Sequence, residues 1–171
     1  LGGSYAIPLE EMCRFWDDYY DKVFVKKEPE YLTERQSTST NAPILVDVDM
    51  QFDACVDERQ YTKEDVVCLV ELYKDAIEQH LEFQEGDHMD VYVMQRPNVN
   101  QLQNKTKDGI HIIFGIGVQR EAQEIIRKEV VAELPNRWGH INLTNSWEQV
   151  IDEGICKGHV NWMVYGSRKP G

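Results

Sequence analysis

Residues 43–52 read PILVDVDMQF. The run is apolar and β-branched with carboxylates at alternate places, a pattern that predicts a strand. Side chains two apart on a strand point the same way, so Asp47 and Asp49 project together from one face. Ile44, Leu45, Val46 and Val48 beside them make the strand look buried on at least one side. Two carboxylates held so close repel unless a cation neutralises them. Hard oxygen donors on one face suit Mg2+ or Mn2+. An acid-rich chain also produces D-x-D by chance on a solvated face, and the pair alone leaves both readings open.

Upstream, Leu9, Met12, Phe15, Trp16, Tyr19 and Val23 recur at helical spacing, predicting an amphipathic helix over 9–24. QSTSTNAP (36–43) reads as a loop. Downstream, Thr62 with Asp65 forms a capping-box signature that opens a helix over 63–83. MDVYVMQR (89–96), ending at Pro97, reads as a strand, 98–106 as an exposed polar loop, and GIHIIFGIG (109–117) as a further strand. Val118, Ala122, Ile125, Ile126, Val130 and Leu134 predict a helix over 118–134, stopped by Pro135. TNSWEQVID (144–152) suggests a short capped helix and NWMVYG (161–166) a last strand. Strands and helices mix without strict alternation, so the fold class is α+β.

KDGIHIIF (107–114) supplies the second set of candidates. Lys107, Gly109 and His111 face one way if the strand begins that early. A lysine, a bare backbone and an imidazole on one face can grip a polyphosphate through charge, close approach and a donated hydrogen bond. A histidine satisfied in a half-buried strand is the plainer alternative. Asp152 follows the apolar pair Val150-Ile151, and by itself such an acid is usually solvated. Arg168 and Lys169 sit in the Gly/Pro turn YGSRKPG, where phosphate binding competes with ordinary surface charge. His80, His88, His140 and His159 show no metal-ligand spacing. No G-x-S-x-G elbow, Walker A loop or dinucleotide fingerprint occurs; GIGVQREAQ has glycines before a helix but lacks the lysine and hydroxyl of a P-loop.

The chain's 171 residues suffice for one compact domain or two small joined lobes. No apolar run approaches a membrane span and LGGSYAIP lacks the pattern of a secretory leader. Cys13, Cys55, Cys68 and Cys156 include no C-x-x-C pair, which reads as a reducing, intracellular setting with the thiols as small apolar residues. Lys and Arg total 18 against 30 Asp and Glu, a net charge of −12, so a general nucleic-acid-binding face is not expected. The loop-like end suggests a fragment of a larger protein.

Taken in order, these pieces resemble the archaeo-eukaryotic primases (AEP), above all the primase domains of large-DNA-virus primase-helicases and the PrimPol-like enzymes. That family's acid-x-acid motif is matched by Asp47 and Asp49. Its small-x-His motif is matched by Gly109 and His111, with Lys107 before them, and many relatives have serine where Gly109 stands. Its apolar-acid motif is matched by Ile151-Asp152. The following aromatic-basic strand and turn are matched by Asn161, Trp162, Tyr165, Ser167 and Lys169. LEEMCRFWDDYY and YLTERQ resemble the lead-in of giant-virus members, making 1–42 a lead-in helix and loop within a catalytic domain over 1–171. Where relatives often carry a nucleotide-binding arginine this chain has Met163, leaving Arg168 to supply the contact.

The resemblance implies an AEP catalytic core, an N-terminal α/β unit packed on an RRM-like sheet. It implies template-directed nucleotidyl transfer in primer synthesis or extension. Asp47, Asp49 and Asp152 would be catalytic and hold two Mg2+ or Mn2+ ions. Lys107, Gly109, His111, Arg168 and Lys169 would bind an NTP or dNTP. It further implies a single-stranded DNA template, a helicase ATPase on the same chain, no membrane, and, for a viral protein, the host nucleus or cytoplasm. The alternative is a catalytically weakened primase-like module for template binding or docking in a replication helicase; another D-x-D nucleotidyl- or glycosyl-transferase fits the His111 strand and the YGSRKP turn less well.

Overall fold

A computed structural model describes residues 3–36, 41–83 and 88–169. The chain forms two compact units, one of residues 36–161 and one of 1–35 with 162–171.

The larger unit is organised by two long antiparallel strands, β2 (Asn41–Phe52) and β5 (Thr106–Gln119). Strand β3 (Val91–Gln95) pairs with the other side of β5, giving the order β2-β5-β3, and the two-residue β4 (Asn100–Gln101) also joins β5. Strict alternation dictates the two faces. Even-numbered positions Ile44, Val46, Val48, Met50 and Phe52 on β2, with Ile110, Ile112 and Phe114 on β5, are all buried. Two helices cover that face, α2 (Lys63–His80) and α3 (Arg120–Trp138), through Leu69, Tyr73, Ile77, Ile126, Val130 and Leu134. Odd-numbered positions on β2 and β5 turn away from this core.

Helix α2 opens with the expected reciprocal capping box: the Asp65 amide donates to Thr62 Oγ1 and the Thr62 amide to Asp65 Oδ2. It ends three residues sooner than the pattern predicts, because Leu81 is extended. Helix α3 runs through Pro135 instead of stopping there. Proline removes one bond to the preceding turn and costs about 3 kcal/mol in a helix interior. The final turn beyond it carries Trp138, which is fully buried and donates from Nε1 to the Asp65 carbonyl at 3.1 Å, and that burial outweighs the lost bond.

Two further differences lie in the strands. β5 starts at Thr106, inside the segment expected to be a loop, because Thr106 and Asp108 are buried polar residues that hydropathy does not reveal. Asn41, Ala42 and Pro43 belong to β2 rather than to a loop, Gln36 is buried, and 37–40 lie outside the described residues. The capped helix α4 (Trp147–Val150) is present, followed by α5 (Glu153–Cys156). Of the cysteines, Cys156 is buried, which pushes its thiol up to about 11, whereas Cys13 and Cys55 are exposed and do not serve as packing residues.

The smaller unit contains the expected N-terminal helix, α1 (Met12–Tyr20), preceded by a 3-10 turn and prolonged by a wider turn to Val25. Its two-stranded sheet pairs β1 (Thr33–Glu34) with β6 (Trp162–Met163), so the last strand is shorter than NWMVYG suggests. Tyr19 anchors the unit, donating from its hydroxyl to the Tyr165 carbonyl and sharing a bond with Ser167 Oγ, both at 2.9 Å.

The class is α+β, as expected, with antiparallel sheets and a few helices. No described helix is long and apolar enough to cross a membrane.

Candidate active site on the outer face of the β2–β5 ladder

The odd-numbered face of the larger unit carries the polar constellation. Asp47 stands directly opposite His111 in the antiparallel register, and Asp49 opposite Gly109. His111 Nε2 lies 3.4 Å from Asp47 Oδ1. Lys107, one pair further along, reaches diagonally to Asp49, with Nζ donating to Oδ2 at 2.7 Å. All four side chains are roughly a quarter to two-fifths exposed, screened by their neighbours yet open to solvent. Lys107, Gly109 and His111 thus share one face as predicted, and that face is the one that carries both aspartates.

Gly109 has a geometric reason. A Cβ there would lie 2.9 Å from the Val48 carbonyl oxygen, closer than real contacts allow. Its missing side chain also leaves the strand bare opposite Asp49, between the lysine and the imidazole.

Asp152 reaches the same ladder from outside it. Ile151 bridges Val48, and the Asp152 amide donates to the Asp47 carbonyl at 2.9 Å. The half-buried Asp152 carboxylate accepts from the Ile155 amide at 3.0 Å. The structure therefore attaches all three predicted acids to adjacent backbone. Arg168 and Lys169 belong to the smaller unit, where both are exposed after β6, and the constellation on the ladder is built without them. Met163 is half-buried on β6, paired with Thr33.

Asn145 and Asp108 support the site and had no signal of their own in the sequence, whereas Lys105 clusters with Lys107 as a basic contact in the sequence already. Asn145 imitates a strand: its Nδ2 donates to the Asp49 carbonyl at 2.9 Å and its Oδ1 accepts from the Gln51 amide at 3.0 Å. Lys105 donates to Gln51 Oε1 at 2.9 Å, extending the polar row. Behind the site, the fully buried Asp108 carboxylate accepts from Arg59 Nε and from the Gly109 amide, both at 2.9 Å. That hydrogen bond raises the Arg59 guanidinium above its usual value, and Arg59 lies 4.9 Å over the ring of Tyr61, whose phenol burial pushes up to about 12.

Three carboxylates suit a hard divalent ion by chemistry. Among the described residues no three His, Cys, Asp or Glu side chains converge as a ready-made metal cage. Asp49 is instead neutralised by Lys107, and Asp152 is oriented by a backbone amide. The donor set fits an ion shared with substrate phosphates, which needs few protein ligands, better than a closed all-protein site.

The family described as C962R protein N-terminal AEP domain matches the chain over residues 1–171. The chain belongs to this AEP family. No curated protein matches it. Membership makes it a primase-type domain, a class whose general chemistry is nucleotidyl transfer with nucleotide and DNA substrates. The polar ladder face of this AEP domain carries Asp47 and Asp49, and Asp152 is attached beside it through its backbone amide.

Proposed function

We propose that this AEP domain joins nucleotides on a DNA template at the outer face of the β2–β5 ladder. The observation that supports it most is the cross-strand pairing of Asp47 with His111 and of Asp49 with Lys107, acids on one strand and phosphate-binding groups on the next.

In this reading Asp47, Asp49 and Asp152 hold divalent ions, Mg2+ or Mn2+. When bound, such ions neutralise charge on a triphosphate and activate an attacking hydroxyl. Lys107 exchanges its bond to Asp49 for the nucleotide phosphates, so substrate arrival frees the carboxylate as it engages the lysine. His111 donates to the triphosphate, and bare Gly109 lets it approach the strand. The resemblance also assigns Arg168 and Lys169 to nucleotide binding. Single-stranded DNA is the template, and the chain's net charge of −12 favours affinity supplied by further regions, such as a helicase ATPase on the same polypeptide.

The second reading, a primase-like template-binding or docking module with weakened catalysis, draws support from Met163 where relatives often carry arginine. Incorporation assays on primed and unprimed templates separate the two. Parental activity that disappears in Asp47→Ala/Asp49→Ala with the fold intact supports catalysis. A double variant that still polymerises at the parental rate refutes the assignment, and a parent that binds template without incorporating favours the module.

A further inference from the structure

The peptide unit that joins Ile151 to Asp152 is gripped from both ends. Its N–H donates to the Asp47 carbonyl at 2.9 Å. Its carbonyl oxygen accepts twice from Arg127, from Nε at 3.0 Å and from a terminal nitrogen at 2.6 Å. Arg127 stands on α3 and is 4 % exposed. The same guanidinium donates to the Glu148 carbonyl at 2.8 Å and meets the Glu148 carboxylate at 3.1 Å.

A buried guanidinium is costly unless its donors are satisfied. Here they are directed mainly at main-chain carbonyls of α4 and its exit; the one carboxylate partner is 68 % exposed and contributes little. The two-point contact to Ile151 exploits the rigid fork of arginine, which a lysine ammonium cannot reproduce. Because the peptide unit is planar, fixing its oxygen and its N–H fixes the start of Asp152 relative to β2.

We propose that Arg127 is a positioning residue that sets Asp152 against Asp47 and Asp49, acting on the third acid through the backbone without touching any reacting group. This rests on the reading of Asp152 as a site acid given above. Among the described residues, the Asp152 side chain bonds forward, to the Ile155 amide, and not back toward β2.

The test uses the 171-residue chain with Arg127→Lys, Arg127→Gln, Glu148→Ala, Asp152→Asn and the Arg127→Lys/Asp152→Asn pair. Two quantities are measured: Mn2+ affinity without nucleotide, from the resonance of the free ion, and amide hydrogen exchange across residues 147–156. Arg127→Lys is expected to weaken Mn2+ binding roughly tenfold, the lower end of the cost of disturbing a metal ligand's support. It should also speed exchange in that segment, whereas Glu148→Ala changes neither. The double variant should bind no more weakly than Asp152→Asn alone, since both changes act through one carboxylate.

Where Asp152→Asn weakens Mn2+ binding, a folded Arg127→Lys protein with parental Mn2+ affinity or parental exchange overturns the proposal, as does a multiplicative loss in the double variant. If neither Arg127 variant folds, the residue serves the core as a whole and the proposal is likewise overturned. If Asp152→Asn leaves Mn2+ affinity unchanged, the metal reading of Asp152 fails, and exchange alone then decides whether Arg127 fixes the segment.

Discussion

Asp47 and His111 face each other across a single rung of the β2–β5 ladder, with His111 Nε2 3.4 Å from the carboxylate. The contact joins the imidazole to the carboxylate, and in the proposed function the ring donates to the triphosphate. His111→Ala should therefore lower kcat/KM for nucleotide by about 2–4 kcal/mol, the scale of a lost charge-stabilising donor. Mn2+ affinity without nucleotide should stay near parental. A large loss of Mn2+ binding in this variant would make His111 a ligand instead.

Lys107 Nζ donates to Asp49 Oδ2 at 2.7 Å. Lys107→Met releases the carboxylate and removes a phosphate contact. The nucleotide KM should rise about tenfold, the scale of one charge-assisted hydrogen bond. Mn2+ affinity without nucleotide should be equal to or above the parent's. Calorimetry with each ligand separately checks both signs; a fall in Mn2+ affinity would contradict the exchange of partners.

Gly109 lies where a Cβ meets the Val48 carbonyl oxygen at 2.9 Å, between Asp47 and Asp49 in β2. Gly109→Ala should push that backbone aside, destabilising the fold by roughly 1–3 kcal/mol as overpacking does. Incorporation should fall as well, since both aspartates ride on the displaced segment. Denaturant midpoints and initial rates matching the parent's would show that β2 yields without consequence.

Asp65 links stability to pH. Burial alone would raise its carboxyl, but hydrogen bonds from the Thr62 amide and hydroxyl and from His140 hold it below the ordinary value of 3.8. A depressed folded value means the contribution is present above 3.8 and disappears as pH falls through the lower folded value. Asp65→Asn should cost about 1 kcal/mol at neutral pH, the usual loss for a helix cap. The gap in Tm between parent and variant should close below pH 3.8. A gap that persists unchanged into strong acid would place the stabilisation elsewhere.

Much of the site was legible because strands repeat every two residues. Alternation alone put Asp47 with Asp49, and Lys107 with Gly109 and His111, on common faces, and the ladder joined the two sets. What stayed hidden was non-local. Nothing in the sequence singles out Asp108, yet Arg59, 49 residues away, satisfies it in the core. Arg127 reads as a solvent charge on a helix, and its partners are carbonyls that no residue code displays. Pro135 reads as a stop signal, and only the pocket that receives Trp138 reveals why the helix continues. Asn145 occupies no periodic pattern, because its amide stands in for backbone.

The covering of β2 by Asn145 and Ile151–Asp152 has a consequence for how copies of the chain meet. Open sheet rims recruit further strands and seed aggregation. The rim beside the aspartates is already hydrogen-bonded to residues 144–152 at Asp47, Asp49 and Gln51, so strand addition there is blocked and the acids stay accessible from the face. Among the described residues no strand pairs with the outer side of β3, where Tyr92 and Val93 are exposed. The sheet's hazard of edge-to-edge association therefore falls on five residues at the rim away from the chemistry, and a lysine in place of Val93 would blunt it without disturbing the ladder face.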